Sequence, residues 1–445
     1  MNLFQSAWST FRNDKLLQNV VKNSGYLLSS NVLSMGLSVV QSILAGRLLG
    51  VAGFGVIGTI TAFASTLNRL FSFRMNELVV KYHGSALTQN QPERAAAVVK
   101  AAGLGELISA LLSFLILIAL APFAASQLAD DPATTNLFII YGSMVLLNFA
   151  TETSTGVLQV ANKFKNQAIV NLVSSVITAF IIVWAFVLKR GLMEVMAAYL
   201  AGKMVLGLGT AILGWREMHH SLGRGWWRVS FSHLPPVKEL LSFAVSTNIS
   251  STVIMLVRDN EPLWIAFFLS PVEVGYAKTA LAIINLVQVP ITPLISTTYP
   301  EINNAVTRSD WPLLRRLLKR ITLISGTWTG LTSLGLVLFG RWMLQFYGTE
   351  FQPSYVPMLV FLVGLGFANI LFWNRPLLLS LGLPLVPYRI SLWCGIAKVL
   401  LAILFVPQLG LNFEAFLLSA FFVISITLII FRGFQEIKRL EAAPA

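Results

Sequence analysis

Charge is scarce in this chain. Asp, Glu, Lys and Arg together make up 11% of its 445 residues, against 56% hydrophobic residues and a mean hydropathy of +0.73. An average soluble domain carries roughly 25% charged residues, so a water-soluble globule is excluded and the composition is that of a polytopic membrane protein. Cysteine is nearly absent. Cys394 stands alone in an apolar stretch, which rules out a disulfide framework and a thiolate metal site. Histidine is confined to His83, His219, His220 and His233, all in segments expected to be solvated loops. No phosphate-cradling glycine loop and no metal-ligand spacing occurs, which argues against an ATP-driven pump and points to no metal or cofactor. The first residues, MNLFQSAWSTFRNDKLLQNVVKNSG, lack the compact apolar core and small-residue cleavage site of a signal peptide, so the first membrane helix is expected to stay attached.

What is abundant is hydrocarbon in long runs. About 20 apolar residues cross a bilayer as a helix, and roughly twelve such stretches are present. They begin near Tyr26, Phe54, Ala101, Asn136, Gln167, Leu192, Leu241, Val274, Ile321, Tyr355, Ile390 and Phe413. The expected fold is therefore all-α and polytopic. Lys and Arg in the connecting segments are strongly one-sided, about 22 against 4, and cytoplasmic loops carry the positive excess. With an even number of spans, both termini are expected in the cytoplasm of a cell whose inner membrane holds the protein. This asymmetry also accounts for the formal charge of +13 without nucleic acid. The stretch TRSDWPLLRRLLKRI from Thr307 reads as a surface helix opened by Ser309 or Asp310 with Pro312 in its first turn. Trp311, Leu314 and Leu318 would then dip into the headgroups while Arg315, Arg316, Lys319 and Arg320 face anionic lipid.

The chain also repeats itself. Laying LLGVAGFGVI (from Leu48) over FLSPVEVGYA (from Phe268) brings Gly55 onto Gly275, an offset of about 220. SSNVLS over STNISS, NFATET near GFANIL and RGLMEV over LGLNFE recur in the same order at similar offsets. The expected organisation is an N-lobe of six helices over residues 1–215, a basic and aromatic linker over 216–236, and a C-lobe of six over 237–445. Even numbers of spans give the two lobes the same orientation in the membrane.

GRLLGVAGFGVIGTITAFASTL and its counterpart SPVEVGYAKTALAIINLVQVPITPLISTTYPEI resemble the polysaccharide flippases of the multidrug/oligosaccharidyl-lipid/polysaccharide exporter superfamily, over nearly the whole chain. The resemblance implies a V-shaped pair of lobes with a central cavity lined by helices 1, 2, 7 and 8. It implies a polyprenyl-diphosphate-linked oligosaccharide, carried on undecaprenol, moved from the cytoplasmic to the periplasmic leaflet by alternating access for surface polysaccharide biosynthesis. No cofactor is expected beyond a proton or sodium gradient. Expected partners are that cargo, membrane lipids and other polysaccharide assembly proteins, around a monomer. Two relatives of the same superfamily stay open, a cation-coupled drug antiporter and a lipid II flippase, although the latter typically adds two helices. A membrane enzyme of glycan assembly fits poorly, because the outer loops are only about 5 to 15 residues long and carry no catalytic constellation. A scaffold that only organises glycan enzymes is the reading without transport.

Several charges are not explained by topology. In MLVRDNEPLWIAFF, Arg258, Asp259 and Glu261 fall opposite SVVQSIL of the first helix, which is uncharged, so spanning does not require them. Arg258 lies roughly 25 Å from the cytoplasmic face by helical rise, and Pro262 interrupts the helix that carries it. Arg258 and Glu261 are spaced to pair on one helix face. Two readings follow: Arg258 meets an anionic cargo while Asp259 or Glu261 balances it or carries a coupling proton, or the cluster neutralises itself at the interface. Arg69 and Arg74 would place positive charge at the inner mouth of a cleft, suited to a diphosphate, or would snorkel to the interface. Lys278, opposite Gly58 in the repeat, would complete a cationic lining or anchor at the interface. Lys203 and Lys398 read as structural or as lipid contacts. Glu152, deep in the fourth helix, and Glu106, near the inner end of the third, are buried enough to cycle a proton or to serve as neutral hydrogen-bonding acids. Pro290, Pro293 and Pro300 mark a hinge or a packing adaptation in the eighth helix. No catalytic or metal-binding residue is assigned.

Overall fold

The computed structural model describes residues 15–240, Met255 and residues 260–442. Among them the chain is helical, with no strand. The longer helices are α1 (Lys15–Phe71), α2 (Pro92–Gln127), α3 (Thr135–Gly142), α4 (Thr151–Val160), α5 (Phe164–Val187), α6 (Leu192–Leu222), α7 (Glu261–Phe268), α8 (Pro271–Gln288), α9 (Thr292–Thr307), α10 (Trp311–Gln345), α11 (Tyr355–Ile370), α12 (Asn374–Ser380), α13 (Leu385–Leu409) and α14 (Leu411–Ala442). Ten helical stretches among the described residues are long and apolar enough to cross a membrane. The first of them, Leu28–Thr88, covers two of the expected spans, and the expected span from Leu241 begins outside the described residues. The expected twelve are therefore approximately met.

The division inside α1 has a local cause. Gly50 sits at φ 68 and ψ 179, outside the helical region and open to glycine at low cost, so one long helix becomes two arms. The repeat breaks at the matching place. α7 ends at Phe268, Leu269 and Ser270 are extended, and α8 restarts with Pro271 in its first turn, where a missing N–H costs nothing.

The helices form two compact units. One contains residues up to Gln41 together with Leu67–Ala121 and Asn136–Ile249; the other contains Ser42–Thr66, Pro122–Thr135 and Ser250–Ala445. In the first unit the arm of α1 before Gly50 is pinned to α5, where Ser30 Oγ donates to Ala168 O at 2.8 Å and Gln41 Nε2 to Ser175 O at 2.9 Å. A buried cluster of Met75, Val79, Val98, Val157, Met218 and Trp226 closes one end of that unit.

In the second unit, the arm of α1 after Gly50 crosses α8 at the two glycines that the repeat had aligned. A Cβ on Gly55 would collide with the carbonyl oxygen of Pro271, and one on Gly275 with that of Val51. Small residues at such a crossing allow backbones to touch where no hydrophobic effect drives helices together. Phe54, fully buried beside the crossing, packs on Tyr347 and Phe351 with ring centroids 6.2 and 6.1 Å away.

Two local expectations change. Asp310 does cap a helix by accepting from Leu313 N at 2.9 Å, with a proline in the first turn, but that helix runs on as the single 35-residue α10 instead of lying on the surface. Leu314 and Leu318 are buried against Ile291, Ile302, Phe372, Trp373 and Ile437, because α9, α12 and α14 offer an apolar partner closer than the headgroups. His83 is also no solvated loop residue. It is 2% exposed, with Nδ1 3.1 Å from Ala95 O.

Candidate functional site

Each unit holds buried polar side chains beside a cavity. In the second unit, Glu261 opens α7, Lys398 projects from α13 and Glu414 stands in the first turn of α14; they are 2%, 4% and 0% exposed. Lys398 Nζ lies 2.6 Å from Glu261 Oε2 and 3.0 Å from Glu414 Oε1. The two carboxylates are near enough to repel each other, and the ammonium between them offsets that repulsion. Burying charge in this way costs several kcal/mol per ion and is tolerated only when partners are in place. Asn260, one residue before α7, accepts from Thr66 Oγ1 at 2.9 Å and ties α1 to the same corner.

Beside this triad lies a cavity of about 370 Å³, lined by Glu261, Pro262, Lys278, Leu281, Ala282, Asn285, Gln288, Leu365, Leu418 and Phe422. Lys278 reaches it from α8. Its stem fills the space that Gly58 leaves open, since a Cβ there would sit 3.0 Å from Lys278 Cδ, and its Nζ stands 4.3 Å from the centroid of the Phe54 ring. An ammonium over an aromatic face gains from the ring quadrupole where water is sparse. Lys278 and Glu261 thus share the lining of this cavity.

In the first unit, a smaller cavity of about 180 Å³ is lined by Asn68, Phe71, Ser72, Glu106, Ser109, Ala110, Ser113, Asn148, Thr151, Glu152, Lys203 and Leu206. Glu106 Oε1 accepts from Glu152 N at 2.8 Å and Oε2 from Thr153 N at 2.9 Å. It thereby satisfies the free N–H groups at the start of α4, with its charge against the positive helix end. Glu152 Oε1 accepts from Ser72 Oγ at 2.8 Å. Lys203 and Arg69 are close enough to repel each other.

The sequence-derived candidates are thus distributed as follows. Lys278 and Glu261 line one cavity, and Glu152 lines the other. Arg69 is exposed near Lys203. Arg74, left-handed at φ 49, is half-exposed and pairs with Glu77 at 3.0 Å. Arg258 and Asp259 lie outside the described residues, and with them the expected pairing of Arg258 and Glu261. Lys398, expected to be structural or to meet lipid, is 4% exposed and sits in the ion triad, where two acids from neighbouring helices converge on it. Glu414 was missed. The repeat gave no signal for it: Glu194 in the matching RGLMEV motif only turns back to accept from Gly191 N at 3.0 Å, whereas Glu414 is fully buried, a difference that the structure alone reveals. Among the described residues no group of three or more His, Cys, Asp or Glu could hold a metal ion.

The sequence profile of the family described as polysaccharide biosynthesis protein matches residues 20–305. Inner membrane protein YghQ of Escherichia coli (strain K12) is 24% identical over 348 residues, covering 77% of this chain and 96% of its own. Among solved structures, an inward-facing multidrug resistance MATE family transporter of the MOP superfamily superposes with a TM-score of 0.75 at 14% identity, over 93% of this chain and 96% of its own. Lipid II flippase MurJ, in an inward closed conformation, gives 0.66 at 14% identity over 94% and 89%. A MOP superfamily transporter from Pyrococcus furiosus Vc1, described as having a binding pocket of reversed polarity, gives 0.64 at 12% identity over 96% of each chain. At these identities the structural likenesses establish the fold, and the solved relatives are transporters and flippases, not enzymes.

Proposed function

We propose, from the premise that this chain belongs to the polysaccharide biosynthesis protein family, that it moves a polyprenyl-diphosphate-linked oligosaccharide from the cytoplasmic to the periplasmic leaflet by alternating access. The name of the relative YghQ supports an inner-membrane location, and the one-sided Lys and Arg support cytoplasmic termini. The observation that carries the reading is Lys278, an ammonium held over Phe54 in a cavity inside an apolar helix bundle. Ionisable side chains inside membrane helices mark substrate or ion pathways, and the diphosphate of the proposed cargo is an anion that an ammonium at this place would attract.

In this reading Lys278, with Arg69, Arg74 and Arg258, receives the diphosphate of the cargo. Glu261 and Asp259 balance that charge or carry the coupling ion, and Glu152 is the corresponding acid of the first unit. The protein works as a monomer among membrane lipids, beside other polysaccharide assembly proteins. An organic cation fits this cavity poorly, because Lys278 repels it and the carboxylate of Glu261 is already engaged by Lys398.

Competition for the purified protein tests the reading. A fluorescent polyprenyl-diphosphate oligosaccharide bound in detergent should be displaced by the unlabelled compound and not by tetraphenylphosphonium. Displacement by the organic cation would favour the drug antiporter, and a strong preference for lipid II would favour the lipid II flippase.

A further inference from the structure

The first unit also holds an apolar recess whose lining shares no residue with its polar cavity. It is a groove of about 600 Å³ between α2, α4 and α6, with Leu104, Leu107, Phe149 and Ile212 among its walls. Several of these walls are open to the surroundings: Leu104 is 43% exposed and Ile212 is 52% exposed. An aromatic cluster stands at one end. Trp215 stacks edge-on against Trp226 at 5.0 Å and tilts against Trp227 at 5.9 Å, and Trp226 Nε1 donates to His219 Nδ1 at 3.2 Å. Indole rings that are apolar on one side and polar on the other settle at the level of lipid headgroups.

The charged residues that line the groove share one sign. Lys100 and Arg216 line the groove, Arg228 lies over the Trp227 ring at 5.3 Å, and no acid lines the groove among the described residues. Lys100 is held in place, with Nζ donating to Val229 O at 3.0 Å and standing 4.3 Å from the Phe231 ring centroid. The stretch that follows α6 therefore fixes cationic groups beside the mouth of an apolar groove.

We propose that this groove binds an anionic phospholipid, one acyl chain lying between α2, α4 and α6 and the headgroup phosphate on Lys100 and Arg216. The chemistry is that of basic pockets between membrane helices, where anionic headgroups are attracted by clustered Lys and Arg. A zwitterionic lipid fills the groove equally well and gains less from the charges. The site is independent of the transport reading, since it uses none of the residues of either polar cavity.

The test uses the full chain, purified and delipidated, and native mass spectrometry with added phosphatidylglycerol or phosphatidylcholine. Phosphatidylglycerol should be retained preferentially by the unaltered protein. The Lys100→Gln/Arg216→Gln variant should bind it roughly 30-fold more weakly, and Ile212→Trp, which fills the groove from an exposed position, should lose it while keeping the thermal transition of the parent. Equal retention of the two lipids by the unaltered protein, or undiminished phosphatidylglycerol in both variants, overturns the proposal. So does displacement of phosphatidylglycerol by equimolar undecaprenyl phosphate, which would give the groove to the cargo chain.

Discussion

Lys398 and Glu261, 137 residues apart in sequence, meet at 2.6 Å with both side chains almost fully buried, and Glu414 completes the contact from the other side at 3.0 Å. One ammonium thus holds α7, α13 and α14 at a single point. Breaking a buried pair by removing one partner costs about 3 to 5 kcal/mol, because the other charge stays behind.

Lys398→Met should therefore lower the thermal transition of the purified protein sharply. Combining it with Glu261→Gln and Glu414→Gln removes the stranded charges and should recover most of the loss. Thermal unfolding of the single and triple variants checks this, and a single variant as stable as the parent would show that the triad is not a support.

Gly55→Leu should abolish the folded protein, since even its Cβ would meet the carbonyl of Pro271, a backbone atom with little room to give. Gly330→Leu is the control, having nothing within 4 Å of the added atom. The fraction surviving size-exclusion chromatography reads the difference. Equal recovery of the two variants would contradict the crossing of α1 and α8.

Glu106 is expected to act through α4. Glu106→Ala leaves two N–H groups at the helix start without acceptors and should cost about 0.5 to 2 kcal/mol, the range measured for lost N-caps. Glu106→Gln keeps one acceptor and should cost less. Hydrogen exchange at Glu152 and Thr153 amides reports this locally, and unchanged protection in the alanine variant would refute it.

The path from sequence to these contacts was uneven, for physical reasons. Span positions were legible because hydrocarbon thickness fixes a length. The repeat went further: the alignment of Gly55 with Gly275 and of Gly58 with Lys278 named residues that touch in space. The partner of Glu261 was not legible. Local spacing offered Arg258, whereas Lys398 depends on how α13 is rotated, which no short-range pattern records. The burial of Leu314 and Leu318 was hidden for a similar reason, since an amphipathic stretch reads alike whether its apolar face meets lipid or another helix.

The central claim is that Lys278 serves an anionic lipid-linked cargo. Its most direct measurement is translocation of a fluorescent polyprenyl-diphosphate oligosaccharide in proteoliposomes, comparing the parent with Lys278→Gln at matched reconstitution. The account predicts at least about a tenfold fall in rate, the worth of one lost charge-assisted contact, with thermal stability retained. Translocation by Lys278→Gln at the parental rate would contradict it.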